Sequence, residues 1–144
     1  MTTNSVCVAI FRENEVLFVK HKPSSKHTTG YYGLPGGYVE YPESYKSAAT
    51  REVEEETGLE IDESDLLEVG TYPIRVEKKI GEVKTSIVLY SCKRFRGKIR
   101  DGLETVPIWV EILDVLSGKY KIPRISGNFL PDVMKLLKLN YNQK

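Results

Sequence analysis

Three glutamates at helical spacing form the part of the sequence best suited to chemistry. Glu52, Glu55 and Glu56 lie within a stretch, 44–57, that contains neither proline nor glycine. Residues three and four apart share one face of an α-helix, so these carboxylates are expected to lie side by side. Carboxylate oxygens are the ligands that hard divalent cations prefer. The pattern therefore predicts a site for Mg²⁺ or Mn²⁺.

The same glutamates oppose the stability of the helix that carries them. Like charges at these spacings destabilise a helix by about 0.2–0.5 kcal/mol per pair. Gly58 is a typical helix-ending residue, so the acids fall in the last turn, where the helix dipole disfavours each by roughly 0.3–1 kcal/mol. A bound cation would offset this repulsion. The alternative is a solvated acidic face that serves as an interaction module, and it predicts no dependence on divalent ions.

The segments around this helix predict a mixed sheet with helices packed on it. Runs rich in β-branched and aromatic residues predict strands at 6–11, 16–20, 34–40, 66–77, 84–95 and 107–112. The first two form a hairpin, and a turn is predicted at 81–83. Helices are predicted at 44–57, 113–118 and 130–140. Because helices do not follow the strands one by one, an α/β fold with a mixed sheet is favoured over a doubly wound parallel sheet.

Composition indicates one folded domain over residues 1–144. Hydrophobic residues make up 40% and charged residues 28% of the chain, which is the balance of a globular protein.

No apolar run approaches the ~20 residues that cross a bilayer, and the first residues do not resemble a signal peptide, so we expect a cytoplasmic protein. Cys7 and Cys92 lie singly in apolar runs and are expected to be buried free thiols.

The net charge of +1 conceals an asymmetry. Residues 40–65 carry −8 and the rest of the chain carries +9. An acidic segment in a basic body suggests a site that gathers cations and an anionic ligand around them. Basic runs at 20–26, 78–79 and 93–100 are each interpreted as solvated faces, with one of them a candidate to hold the phosphate furthest from the metal.

Residues 37–59, GYVEYPESYKSAATREVEEETGL, resemble the Nudix box, the signature of the Nudix hydrolases. Every fixed position of the box is filled, and the preceding GLPGGYVE resembles the usual lead-in of the family. The matching positions are Gly37, Glu43, Arg51, Glu52, Val53, Glu55, Glu56, Gly58 and Leu59. The box covers about a sixth of the chain. The resemblance implies a Nudix-type α/β/α sandwich around a mixed sheet.

The resemblance also assigns the metal site. It implies that Glu52, Glu55 and Glu56 bind the metal and that one of them acts as base toward the attacking water. The carbonyl of Gly37 is a candidate further ligand. Some family members draw another carboxylate from a later loop, and Glu104 is the candidate here.

Other box residues are implied to position the site and the substrate. Arg51, counted with the catalytic residues, pairs with Glu43 to brace the loop and the helix. Gly36 and Gly37 form the turn at which the backbone comes close to substrate, where a side chain would obstruct. A tryptophan often precedes this turn in the family. Here Tyr32 lies nearby and is taken as the substrate-stacking candidate.

The resemblance implies hydrolysis of the diphosphate linkage in a nucleoside diphosphate joined to another moiety, or in a nucleoside triphosphate. The cofactor would be Mg²⁺, with Mn²⁺ as a substitute, and one product a nucleoside monophosphate. Pro73 resembles a proline of ADP-ribose-cleaving members. Two alternatives stay open, an idle nucleotide-binding regulatory domain and an RNA 5′-end pyrophosphohydrolase. The near-neutral charge favours a small-molecule nucleotide over nucleic acid. No membrane partner is expected, and a homodimer is left open.

Overall fold

The computed structural model describes residues 3–23, 30–78 and 81–141, which form a seven-stranded mixed sheet with helices on both faces. The strands are β1 (Thr3–Arg12), β2 (Glu15–His21), β3 (Tyr32–Gly33), β4 (Gly36–Tyr38), β5 (Leu67–Lys78), β6 (Gly81–Cys92) and β7 (Thr105–Glu111). The helices are α1 (Tyr45–Thr57), α2 (Ile112–Leu116) and α3 (Phe129–Tyr141), with a single 3₁₀ turn at Glu63–Asp65. The predicted α/β fold with a mixed sheet is confirmed.

Strand β1 is the centre of the sheet. It pairs in parallel with β6 and antiparallel with β4 and β2. Strand β4 lies beside the first half of β1, at Ser5–Cys7, and the β2 hairpin begins at its far end. Strand β5 extends the sheet beyond β6, and β7 pairs with β2. Strand β1 has seven consecutive buried residues, as expected of a strand that is covered on both faces.

Alternate side chains of β1 feed two separate cores. Because successive side chains point to opposite faces of a sheet, even-numbered residues of β1 pack with α1 and odd-numbered ones with α2 and α3. The α1 core includes Val6, Val8, Ile10, Ala48, Ala49 and Val53. The other core includes Cys7, Ala9, Phe11, Val115, Val133 and Leu137. These two layers make the α/β/α sandwich.

The structure corrects two boundaries. Strand β6 ends at Cys92, short of the predicted 95, because the chain then leaves the sheet and Arg96 exchanges backbone hydrogen bonds of 2.8 and 3.0 Å with Glu60. The turn predicted at 81–83 belongs instead to β6, where Gly81 pairs with Lys78 of β5. Parts of the basic runs, at 24–29 and 79–80, lie outside the described residues.

The expectation for the two cysteines is met. Cys7 and Cys92 are free and buried. None of the helices described is long and apolar enough to cross a membrane.

Candidate active site

Helix α1 begins and ends where its sequence predicts. The hydroxyl of Ser44 caps the first turn by accepting a 3.1 Å hydrogen bond from the amide of Ser47. Gly58 ends the helix in the left-handed conformation, with φ of 83°, and donates from its amide to the carbonyl of Glu54. Buried Ala48, Ala49 and Val53 seat the helix on β1. The glutamate-rich end is thereby fixed in place.

Two glycines let the backbone of β4 approach the glutamates of α1. The Gly36 amide donates a 2.8 Å hydrogen bond to Oε1 of Glu56. A Cβ atom on Gly37 would lie 2.5 Å from the carboxyl carbon of Glu52, and one on Gly36 would collide with the Val6 carbonyl. A side chain fits at neither position. The predicted close approach at Gly36 and Gly37 is therefore a physical feature of the site, although the turn itself is the start of a strand.

Arg51 holds the acidic residues together. Its guanidinium binds both oxygens of Glu43, at 2.6 and 3.0 Å, and donates to the Tyr38 carbonyl at 3.0 Å. Its Nη1 atom lies 2.8 Å from Oε1 of Glu52 and 3.0 Å from Oε1 of Glu55. One cation thus joins the loop before α1, the β4 backbone and two of the three glutamates, which is the geometry of a brace.

The carboxyl groups titrate differently because their surroundings differ. Hydrogen bonds from Arg51 lower the pKa of Glu43 to about 2. Burial raises the pKa of Glu56 to about 8, with the neighbouring glutamates adding to the shift and the Gly36 amide opposing it. Burial also raises the pKa of Glu52, against the effect of Arg51. Strongly perturbed carboxyl groups at a cleft are typical of functional sites.

The glutamates open onto a cleft of about 610 Å³. Its acidic wall is made by Glu52, Glu55, Glu56 and Glu104. Its apolar lining includes Val6, Leu34, Ile74, Ile87 and the exposed Leu103. The buried residues Ser5 and Thr85 also line the cleft, and their hydroxyl oxygens are hydrogen-bonded to each other at 2.8 Å. An acidic wall beside an apolar surface would suit a divalent cation together with a ligand that has a flat apolar part.

The loop after residue 100 is attached to both sides of the cleft. The Glu104 carbonyl accepts a 2.8 Å hydrogen bond from the amide of Lys22, and the Thr105 hydroxyl donates to the Glu56 carbonyl at 2.9 Å. Gly102 lies against the Glu55 carbonyl, with no room for a Cβ atom. These contacts place Glu104 with Glu56 in the lining of one cleft, where its charge adds to the rise in the pKa of Glu56.

Some predicted residues lie away from the cleft. Tyr32 is not among the described residues that line it, because its ring packs edge-on against Tyr120 at 5.0 Å. Glu43 and Arg51 lie behind the acidic wall rather than on it. Pro73 is an exposed residue of β5, next to Ile74 of the cleft lining.

Sequence reasoning missed the hydroxyl pair and the role of the β4 backbone. Ser5 and Thr85 are 80 residues apart, and only the parallel pairing of β1 with β6 brings them together. The Tyr38 carbonyl that receives Arg51 carries no signal in the sequence because every residue has a carbonyl. Gly102 could have been noticed as a glycine two residues before Glu104.

The donor set fits a hard cation completed by substrate and water. In residues 3–23, 30–78 and 81–141, no three acidic, histidine or cysteine side chains are gathered closely enough to hold a metal by themselves. Arg51 contacts both Glu52 and Glu55 in this arrangement. Mg²⁺ typically takes one or two carboxylates and fills its shell with water and phosphate oxygens. The wall offers carboxylate oxygens, and the absence of a side chain at Gly37 lets the backbone come close to them. Both features are compatible with this mode of Mg²⁺ binding.

A mixed sheet between helices, with an acidic helix end against a glycine strand, defines the class of this chain as an α/β/α sandwich. A model of the NUDIX domain matches residues 1–133, and the chain belongs to the Nudix hydrolase family. The resemblance noted in residues 37–59 is thereby confirmed.

Relatives and solved structures agree with this assignment. The chain is 39% identical to the ADP-ribose pyrophosphatase of Methanocaldococcus jannaschii over 112 residues, which cover 78% of the chain and 50% of the relative. It is 38% identical to the NAD-capped RNA hydrolase NudC of Photobacterium profundum over 56 residues, which cover 39% of the chain and 20% of that relative. The chain thus spans half or less of the length of these relatives.

The fold is shared with solved structures of low sequence identity. A structure of MutT, from work on Aliivibrio salmonicida and Vibrio cholerae, superposes with a TM-score of 0.69 at 22% identity, covering 95% of this chain and 97% of that one. A bifunctional NMN adenylyltransferase/ADP ribose pyrophosphatase of Francisella tularensis, complexed with AMP and a Mn ion, superposes with a TM-score of 0.68 at 16% identity, covering 96% and 42%.

Proposed function

We propose that this chain hydrolyses the diphosphate linkage of a nucleoside diphosphate joined to a second moiety, with Mg²⁺ as cofactor and a nucleoside monophosphate as one product. The observation that carries the proposal is the meeting of Glu52 and Glu56 with the backbone of Gly36 and Gly37 at one edge of the cleft. An ADP-ribose-like compound is the substrate class to test first, because the archaeal relative is an ADP-ribose pyrophosphatase.

Each part of the cleft has a task in this reaction. Glu52, Glu55 and Glu56 would hold the metal, with the Gly37 carbonyl and Glu104 as additional oxygen donors. Bound there, Mg²⁺ would neutralise phosphate charge and lower the pKa of a coordinated water. One of the three carboxylates takes the proton of the attacking water. The brace of Arg51 and Glu43 keeps the carboxylates in register with β4.

The apolar side of the cleft would hold the nucleoside. Leu34, Ile74 and Ile87 offer a surface for a base, and the hydroxyls of Ser5 and Thr85 offer hydrogen bonds beside it. Binding energy from this remote part orients the diphosphate at the acidic wall, and orientation of this kind is a large share of catalysis in phosphate chemistry.

The rival functions have less support. An idle regulatory domain is disfavoured because every fixed box position is filled. Action on RNA 5′ ends draws on the NudC relative, but that match covers only 39% of this chain. We therefore infer a small-molecule substrate.

A panel of diphosphate compounds tests the proposal. ADP-ribose, sugar nucleotides, dinucleoside polyphosphates, NADH and nucleoside triphosphates are each incubated with the purified chain, with Mg²⁺, with Mn²⁺ and with a chelator. We expect release of a nucleoside monophosphate from at least one compound, and none with the chelator. Release that persists in the chelator, or no release from any compound with either metal, would overturn the proposal.

A further inference from the structure

A second hollow, of about 630 Å³, lies at the other end of β1 from the catalytic cleft. Ser5, Val6 and Cys7 line the cleft, whereas Phe11, Arg12 and Glu13 line this hollow. The nearest of these lining residues, Cys7 and Phe11, are about 13 Å apart along the strand at roughly 3.3 Å per residue. The cleft and the hollow have no lining residue in common.

The hollow is basic where the cleft is acidic. Its charged lining consists of Arg12, Lys93 and Arg94 together with one carboxylate, Glu13. The cleft is lined by four glutamates and, among the described residues, by neither lysine nor arginine. Two depressions of similar volume thus present opposite charge at the two ends of one strand.

Only part of the basic run at 93–100 contributes to this hollow. Arg96 turns away and forms ion pairs with Asp62 at 3.1 Å and Glu60 at 3.7 Å. Arg100 donates to the carbonyls of Glu54 and Asp101. Arg94 forms no ion pair within the part of the chain that the structure describes. A cation on the wall of a hollow, with no carboxylate of its own, is suited to an anionic ligand.

Aromatic rings support the same wall. The Arg12 guanidinium lies 4.3 Å from the centroid of the Trp109 ring and is held by Oε1 of Glu15 at 2.7 Å. The half-buried Phe95 ring lies 5.4 Å from that of Trp109 and faces the hollow. Glu13 begins the two-residue turn of the β1–β2 hairpin, which accounts for its positive φ of 54°.

A buried amide completes the lining. Asn140 is 8% exposed, and its Nδ2 atom donates to the Leu136 carbonyl at 2.9 Å. Asn140 lines the hollow, and the Oδ1 atom is the acceptor of its side-chain amide. An acceptor at this position would receive a hydroxyl or amino group of a ligand.

We propose that this hollow is a second binding site, for a nucleoside monophosphate. Arg94, with Lys93 and Arg12, would bind the phosphate. The Phe95 ring would contact the base or sugar, and Asn140 would accept a hydrogen bond from it. The volume falls within the range of about 300–1,000 Å³ that is usual for small-molecule sites. The site makes no use of the acidic wall, so it does not depend on the proposed hydrolysis.

Trp109, the chain's one tryptophan, provides the measurement because it touches both Arg12 and Phe95. The metal-free protein, kept in chelator so that no hydrolysis occurs, is titrated with AMP while tryptophan fluorescence is recorded. We expect a saturable change. Arg94→Gln should weaken the AMP affinity about tenfold, which corresponds to about 1.4 kcal/mol, because it removes a charged hydrogen bond to the phosphate.

Three controls separate this site from other causes of a signal. Arg96→Gln removes a cation of the same basic run that pairs with Asp62 and Glu60 and does not line the hollow. The AMP affinity of this variant should match that of the wild type. Glu56→Gln alters the cleft and should leave the fluorescence titration unchanged. Adenosine and inorganic phosphate should each bind more weakly than AMP, since each engages only part of the hollow.

The proposal is overturned by any of four results. These are no saturable change with AMP, an equal loss of affinity in Arg94→Gln and Arg96→Gln, loss of the signal in Glu56→Gln, and inorganic phosphate binding as tightly as AMP. Arg94 is exposed, so Arg94→Gln should keep the fold, and its circular dichroism spectrum and melting temperature verify this.

Discussion

The acidic cleft and the basic hollow present charge in two different ways. In the cleft the carboxylates are partly withdrawn from water, with the side chain of Glu52 only 16% exposed, and they are held by the Gly36 amide and by Arg51. In the hollow Arg94 is exposed and unbraced. The acidic site is therefore held by short contacts within the protein. The proposed basic site would attract its ligand by surface charge, and its affinity should weaken as the salt concentration rises.

The largest difference between the two regions should appear in turnover. Glu56→Gln and Glu52→Gln each remove one charge from the acidic wall, and we expect kcat to fall by about 10²–10⁴-fold, the range for losing a catalytic proton acceptor or its equivalent. The measurement is steady-state hydrolysis of whichever compound the panel identifies.

Glu54→Gln is the matched control for these two variants. Glu54 lies on the same helix but outside the cleft lining, so its loss should leave kcat close to that of the wild type. A Glu56→Gln enzyme as active as Glu54→Gln would contradict the roles proposed for the acidic wall. In the metal-free protein at neutral pH Glu56→Gln should also raise the melting temperature, because a carboxyl group whose pKa burial raises from 4.5 to about 8 destabilises the fold above pH 4.5.

A smaller effect, a loss of metal affinity, should follow when a side chain fills the gap between β4 and α1. In Gly37→Ala the new methyl group would lie 2.5 Å from the Glu52 carboxyl carbon, so the carboxylate must move. We expect Mn²⁺ affinity, measured by calorimetry, to fall by about tenfold, as for the loss of one well-placed metal ligand or its support.

Gly33→Ala serves as the comparison for this variant. A Cβ atom at Gly33 meets nothing within 4 Å, so Mn²⁺ affinity should not change. If Gly37→Ala bound Mn²⁺ as tightly as Gly33→Ala, the close approach of β4 would have no part in metal binding.

The smallest effect should be on the melting temperature at acid pH, which depends on the ion pair of Glu43 with Arg51. The Glu43 pKa is lowered to about 2 from an ordinary 4.5, so this group contributes stability above pH 4.5 that is lost as the pH falls toward 2. Glu43→Gln should lower the melting temperature at pH 7 and flatten its dependence on pH across that window.

The exposed Glu111 at the end of β7 provides the reference for this measurement. Glu111→Gln should keep the steep acid loss of the wild type. A melting curve for Glu43→Gln that is as steep as that of Glu111→Gln below pH 4.5 would show that the Arg51 brace does not stabilise the fold.

Local signals predicted much of the fold and of the acidic wall. Helix α1 was predictable because its capping residue, its buried face and its terminal glycine all lie within fifteen consecutive residues, 44–58. The hairpin of β1 and β2 was equally local. The end of β6 was not, because it depends on the bridge between Arg96 and Glu60, which no periodicity encodes.

Contacts between distant segments account for the rest of the site. Tyr32 was expected near the substrate from its place before Gly36, but its partner, Tyr120, lies 88 residues later. The pairing of Ser5 with Thr85 and the basic hollow likewise require knowing which strand ends meet. Spacing within one helix can be read from the sequence, whereas a surface made of segments that are distant in the sequence cannot.

The two native thiols have a practical consequence for further work. Cys7 and Cys92 are 4% and 1% exposed, and burial raises the pKa of both, so neither forms a reactive thiolate readily at neutral pH. A cysteine introduced on the surface should therefore be alkylated selectively without first removing the natural ones. Dyes or spin labels could then be attached at chosen points on an otherwise unaltered molecule.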